Sequence, residues 1–400
     1  MRDGFRIMDV DRHVMEPLEL WSEYLPATMK DMAPRLAPAV IPGESLAARL
    51  QRLGEHALLP TPPVLHVKDK RIPHRFSEVA SIEMEIVAQQ RRADVLAAAT
   101  PGGQLAEMDA TGVDVAVLLP TIAPLLVYDD TASAECSRAY ARAYNRWLAE
   151  RCASASARLV GAALLSRHDP EAMAGDLEQA LRDGLRVVVL QPNPVQGHTL
   201  SAPAYSRFWA ACEHHAVTVL LHEYTHTRAP TTGADRFETR FGQHACAHPM
   251  EAMMALLSLI EGGVLEAHPT LRIGLLEAGC GWLPYWLWRL DHVEYAQLRG
   301  EVRQRVRRPP SEYFQRQCWI ALEPGEAMLD RVVTELGAPR MVFGTDFPHP
   351  DHGQGIVDEM LAQRRALGDA ALRAILWDSP CELIGVSVGP TATHPAGPVR

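Results

Sequence analysis

The sequence predicts an α/β fold, a (β/α)8 TIM barrel with a long insertion after strand 1, on three observations. Eight strand-length apolar runs can be counted, amphipathic stretches of helical length separate them, and several runs are apolar almost throughout. In order, the runs are Phe5 to Asp11, Val113 to Pro120, Leu159 to Leu165, Arg186 to Gln191, Ala216 to His222, Leu271 to Glu277, Gln317 to Glu323 and Arg340 to Asp346. Val187-Val188-Val189-Leu190 and Val217-Thr218-Val219-Leu220-Leu221 have no polar face to give to water, which suits parallel strands covered on both sides. Ala172 to Asp183, Tyr205 to His214 and Pro249 to Glu261 are amphipathic and long enough to be crossover helices. A doubly wound open sheet is the rival arrangement.

Residues 1–388 form the predicted barrel. Within them 17–104 is too long and too rich in proline (Pro34, Pro38, Pro42, Pro60, Pro62, Pro63) for an ordinary βα loop. That insertion is expected as a lid over the barrel mouth or a subunit contact, against the plainer alternative of a peripheral decoration. Homodimerisation is expected from it. Residues 389–400, rich in Pro, Ala, Gly and Thr with no apolar period, read as a frayed, disordered tail.

With 400 residues, 47% hydrophobic and 22% charged, disorder and a small disulfide-stapled scaffold are both excluded. The 39 basic against 49 acidic residues give a net charge of −10, which leaves no electrostatic footprint for nucleic acid or an anionic membrane. Seven scattered cysteines without a C-x-x-C pair read as reduced thiols, and Met1-Arg2-Asp3-Gly4 opens without an apolar leader. A cytoplasmic protein is expected.

In a barrel of this kind chemistry collects where the strands end. Strand one ends in Asp11-Arg12-His13, strand five in His222, strand six in Glu277, strand seven in Glu323 and strand eight in Asp346. Gathering such groups without a partner costs several kcal/mol per ion, and a metal is the simplest compensating cation. Asp11 and His13, two apart, point to one side of a regular strand. His248, just before Pro249, is either a ligand, a proton shuttle, a hydrogen-bond donor or a loop histidine bonded to backbone. It belongs to a group with His222, His226 and His244. His349 is placed to hold a ligand by hydrogen bonding, and Glu16 is either a ligand or a loop anchor. No G-x-S-x-G elbow, Walker-type phosphate loop or dinucleotide fingerprint is present.

Asp-x-His followed by Glu16-Pro17, His222, the run Leu276-Glu277-Ala278-Gly279-Cys280-Gly281-Trp282-Leu283-Pro284, and Gly344-Thr345-Asp346-Phe347-Pro348-His349 together resemble the amidohydrolase-related family. That family of metal-dependent hydrolases and decarboxylases is built on (β/α)8 barrels. The resemblance, from about Phe5 to about Val386, implies metal ligands at Asp11, His13, His222 and Asp346. Two departures stand out. The family's decarboxylases commonly open with His-x-His or Glu-x-His where Asp11 stands here, and they carry a catalytic histidine after strand six where this chain has Glu277.

With Glu277 added, the expected metal set is Asp11, His13, His222, Glu277 and Asp346, with His248, Glu323 and His349 as catalytic candidates. A set so rich in carboxylates resembles the branch of non-haem diiron or iron/manganese monooxygenases, which includes a diiron enzyme that hydroxylates a diterpenoid coenzyme A thioester in antibiotic biosynthesis. That likeness implies two iron ions, O2, an external electron donor and a small-molecule carboxylic acid or acyl-CoA substrate hydroxylated at a C–H bond. The alternative is a metal-dependent hydrolase or non-oxidative decarboxylase with one zinc or manganese ion. A third reading is a barrel that keeps a structural metal without turnover.

Overall fold

The computed structural model of the chain describes residues 1–386 apart from 40, 42, 73–76, 226, 351, 352 and 354. The tail 389–400 and His226 lie outside the described residues. Each of the eight apolar runs forms a strand. They are β1 (Met8–His13), β5 (Val115–Leu119), β6 (Leu159–Leu164), β7 (Val187–Leu190), β8 (Thr218–Leu221), β9 (Arg272–Leu275), β10 (Cys318–Leu322) and β11 (Met341–Phe343), numbered so that three short strands of the insertion take β2 to β4. All neighbours in the order β1-β5-β6-β7-β8-β9-β10-β11 pair in parallel, as in Val188↔Val219 and Leu220↔Gly274. Their side chains are almost all buried, because helices cover one face of the sheet and the other faces the barrel interior.

Closure rests on β1 and the residues after β11. The Asp346 N–H donates to Asp11 O at 2.8 Å and the His13 N–H to Phe347 O at 2.7 Å, with Arg12 and Phe347 bridged in parallel. An open doubly wound sheet is thereby excluded. The approach is close enough that a Cβ on Gly344 would stand 2.3 Å from Asp11 Cβ.

The insertion builds an antiparallel sheet from β2 (Arg35–Ala37), β3 (Val64–Val67) and β4 (Lys70–Arg71), and the helices Leu46–Leu53, Glu78–Gln90 and Arg92–Ala98. Leu53, Ala57 and Ile82 make a small core of their own. The helix Pro101–Thr111, capped by Thr100 Oγ1 accepting from the Gly103 N–H, begins inside the stretch 17–104 and leads back into β5. Its Gln104 amide donates to His13 O at 2.8 Å, which ties the returning chain to the tip of β1.

One helix differs from expectation. It runs Arg240–Glu261 with Pro249 in its interior and starts from Thr239, whose hydroxyl accepts from the Gly242 N–H. The missing proline N–H removes one rung at the Ala245 carbonyl, yet the buried face of the helix, including Leu256 and Leu259, keeps it continuous. Among the described residues no helix is long and apolar enough to cross a membrane, and all seven cysteines are free thiols.

Gly344→Ala forces two strands apart at the closure and is expected to destabilise the protein by ~1–3 kcal/mol in denaturant unfolding. Gly102→Ala, where an added Cβ meets nothing within 4 Å, serves as the control and is expected to be neutral or mildly stabilising. Equal midpoints for the two variants would contradict the closure geometry.

Candidate metal centre

β1 carries a register shift between Asp9 and Arg12, and Asp11, within it, and His13, just past it, meet at the barrel mouth. His13 Nε2 lies 3.3 Å from Asp11 Oδ1 and 3.3 Å from Asp346 Oδ1. From the tip of β8, His222 Nε2 lies 3.6 Å from the same Asp11 oxygen. Two sets of ligand atoms, Asp11–His13–His222 and His13–Asp346–His349, each fall within 4.8 Å of one another and share His13. All of these residues are buried except His349, which is partly so.

Several supports hold the cluster in place. The His13 ring contacts Pro120 O through Nδ1 at 2.9 Å, which leaves Nε2 turned to the carboxylates. His349 Nδ1 lies 2.7 Å from Asp346 Oδ1, while its Nε2 contacts Thr121 Oγ1 at 3.2 Å. Glu16 is a loop anchor, since its carboxylate accepts from the backbone N–H groups of Thr121, Ile122 and Ala123 at 2.9–3.2 Å. Under β1, Asp9 accepts from the Thr345 N–H (2.9 Å) and hydroxyl (2.5 Å) and so fixes the residue before Asp346. Arg12, fully buried, faces away from the cluster to Asp9, Glu107 and Gln104.

The electrostatics call for a cation. Burial, reinforced by the nearby His349, pulls the His13 imidazole down to about 3. Burial likewise pulls His222 to about 4. Both rings are therefore neutral near pH 7, the form with a lone pair to give. His13 Nε2 and His222 Nδ1 are buried without a hydrogen-bond partner. Two buried carboxylates facing such rings suit one hard or borderline divalent ion with nitrogen and oxygen ligands.

The other expected residues fall outside these sets. Glu277 sits against His222, Oε2 to Nε2 at 2.7 Å, and 3.7 Å from His248 Nδ1. His248 is in the third turn of Arg240–Glu261 and not in a loop, with Nε2 2.6 Å from Thr225 Oγ1. Glu323 follows β10 at a turn where its N–H donates to Glu326, and it does not line the cavity over the cluster. That cavity, about 250 Å³, is walled by Met84, Tyr224, Arg240, His244, His248 and Pro350 together with His222, Glu277 and His349. Met84 and Arg240 were missed by sequence reasoning, which had no local signal for either. Glu277 and Asp346 both adopt positive φ, 47° and 51°, so each strand tip bends sharply as it delivers its carboxylate.

The family profile described as Amidohydrolase matches residues 9–386. The chain is 30% identical to the gamma-resorcylate decarboxylase of Rhizobium radiobacter over 251 residues, 60% of this chain and 74% of that one. The crystal structure of 5-carboxyvanillate decarboxylase from Sphingomonas paucimobilis superposes with a TM-score of 0.67 at 20% identity, over 96% of this chain and all of that one. A dihydroxybenzoic acid decarboxylase from Polaromonas sp. JS666, solved with bound manganese, gives a TM-score of 0.63 at 20% identity over 95% and 97% of the two chains. These findings overturn the diiron monooxygenase reading, with its oxidoreductase chemistry and antibiotic-biosynthesis setting, because the relatives are decarboxylases. The expectation of two iron ions, which rested on that likeness, falls with it, and the two ligand sets share His13.

About one divalent ion per chain is expected by mass spectrometry of the purified protein, and His222→Ala or Asp346→Ala is expected to lose it. Full loading of either variant would refute the assignment. Glu16→Ala, which strips a loop of its acceptor, is expected to cost ~1–3 kcal/mol of stability while the metal content stays near one, which separates anchor from ligand.

Proposed function

The chain belongs to the amidohydrolase family, and from that premise we propose that it is a metal-dependent, non-oxidative decarboxylase of hydroxyaryl carboxylic acids. The observation that carries this reading is the 30% identity to a gamma-resorcylate decarboxylase, joined to a buried N/O cluster at the same barrel mouth where such chemistry is done. Asp11, His13, His222 and Asp346 would hold the cation. When bound, a divalent ion supplies a Lewis acid that fixes and polarises the substrate's anionic oxygens.

The protein's own groups do the rest. Decarboxylation breaks the bond between ring carbon and carboxylate, CO2 leaves, and the electron pair stays on the carbon until a proton arrives. Asp346, oriented by His349 Nδ1 at 2.7 Å, carries that proton in this reading and returns to the carboxylate form on delivering it. Neutral His13 and His222 keep their lone pairs on the cluster side. Glu277 Oε2, at the strand-six tip, lies 2.7 Å from His222 Nε2, the same nitrogen that faces Asp11, so its carboxylate borders the cation site. The cavity walls of Tyr224, Met84 and Pro350 present apolar surface to a ring and limit the water around the reacting carbon. The reaction is redox-neutral, so neither O2 nor an electron donor takes part.

The test is anaerobic turnover of manganese-loaded protein with 2,6-dihydroxybenzoate and related hydroxybenzoates in deuterated water. Release of CO2 with one deuterium built into each product is expected, and Asp346→Asn is expected to lower the rate by at least about a hundredfold. Hydrolysis of ester or amide substrates without CO2 release would overturn the proposal in favour of a hydrolase.

A further inference from the structure

The insertion reaches the metal cluster from both sides of the seam between β1 and β11. Its short helix Arg92–Ala98 spans ~10 Å at 1.5 Å per residue. At one end Ala98 O accepts from the Met15 N–H, just past β1, at 3.3 Å and from the Gln104 amide at 3.2 Å. That same amide donates to His13 O. At the other end stands Arg91, the residue that joins this helix to Glu78–Gln90, and its Nη1 donates to His349 O, 258 positions along the chain. Asp94 Oδ2, 3.3 Å from Arg91 Nε, steers the guanidinium. The helix is thus a strut between the exits of the first and last barrel strands.

What the strut holds on the β11 side is the turn that carries Asp346 and His349. The seam bonds fix this turn as far as Phe347, whose carbonyl accepts from the His13 N–H. Two residues on, Arg91 takes the His349 carbonyl through a charge-assisted bond, stronger than a neutral one. His349 Nδ1 lies 2.7 Å from Asp346 Oδ1, its Nε2 meets Thr121 Oγ1 at 3.2 Å, and its ring centroid is 4.1 Å from that of His13. Each of these contacts depends on where the His349 main chain stands.

We propose that Arg91 is a positioning residue of the metal centre: by holding the His349 carbonyl it sets the His349 ring against Asp346, so the hold on the metal depends on a residue of the insertion. The stretch is then a working part of the centre and not a peripheral decoration. The inference rests on the proposed reading for its metal and is tested without turnover.

Manganese-loaded protein is titrated with a chelator of known affinity, and the bound ion is followed by electron paramagnetic resonance. His349→Gln is expected to weaken manganese binding by about ten- to a hundredfold, and Arg91→Met, which keeps the length and removes the donors, by about tenfold. Because Arg91 acts through His349, the double variant is expected to bind within about twofold of His349→Gln alone. Arg91→Lys keeps a charged donor without the fork and is expected to lose about threefold; it carries the same cycle where methionine is not tolerated. A lowered unfolding midpoint with unchanged manganese affinity would mark a merely structural contact and overturn the inference, as would losses that multiply in the double variant. CO2 release from hydroxybenzoates alongside an unchanged affinity in Arg91→Met would leave the decarboxylase reading standing and sink this one alone. An Arg91-dependent affinity expressed through His349, without CO2 release from any acid, would support the strut and sink the decarboxylase reading.

Discussion

Two main-chain hydrogen bonds, from Asp346 N–H to Asp11 O and from His13 N–H to Phe347 O, bring the first and last barrel strands together. The whole site follows from that seam. Of the five groups in the two ligand sets, Asp11, His13, Asp346 and His349 come from its two sides, and only His222 arrives from across the barrel. Gly344 permits the approach, since any side chain there would press into Asp11. Beneath it Asp9 clasps Thr345 through both main chain and hydroxyl, so the position of Asp346 is set by buried hydrogen bonds rather than by its own flexible tip.

Charge is organised in two layers around this seam. Above it lie carboxylates and neutral imidazoles that want a cation. Below it lies Arg12, a buried guanidinium shared by Asp9, Glu107 and Gln104 and covered by the Phe347 ring at 4.1 Å. Arg12 stands between Asp11 and His13 in sequence but on the other side of the strand, so the cation the protein supplies itself does not quench the carboxylates reserved for a metal. The separation combines strand alternation over Asp11, Arg12 and His13 with the register shift that brings Asp9 to the side of Arg12.

Much of this was legible because it is local. Apolar runs that stop on Asp, His or Glu mark strand ends wherever the chain is read, and all eight strands lie where those runs lie. Which tips converge was not legible, because that depends on closure between residues more than 300 apart. Glu277 and Glu323 end their strands much as Asp346 does, yet Glu277 meets His222 and the Glu323 main chain is tied into a turn by the Glu326 carboxylate. His349 joined the cluster through a short turn in which its N–H bonds back to Asp346 O. Pro249 misled in a different way. It marks helix starts so often that the Thr239 cap ten residues earlier was overlooked, and with it the fact that Arg240, His244 and His248 share a helix face. The two-iron expectation counted residue types at strand tips, whereas the ligand sets depend on which atoms face one another.

The left-handed backbone at Glu277 and Asp346 has a consequence for how such a protein changes over time. Outside glycine that conformation costs of order 1–3 kcal/mol at each position, and it falls on strand tips whose side chains face the site. A glycine at either position would relax the backbone and remove the carboxylate in the same step. Stability and function are thus set against each other at single codons. Drift toward a sturdier fold would tend to erase the centre, leaving a stable barrel with an empty mouth, and keeping the centre requires selection to act at just those turns.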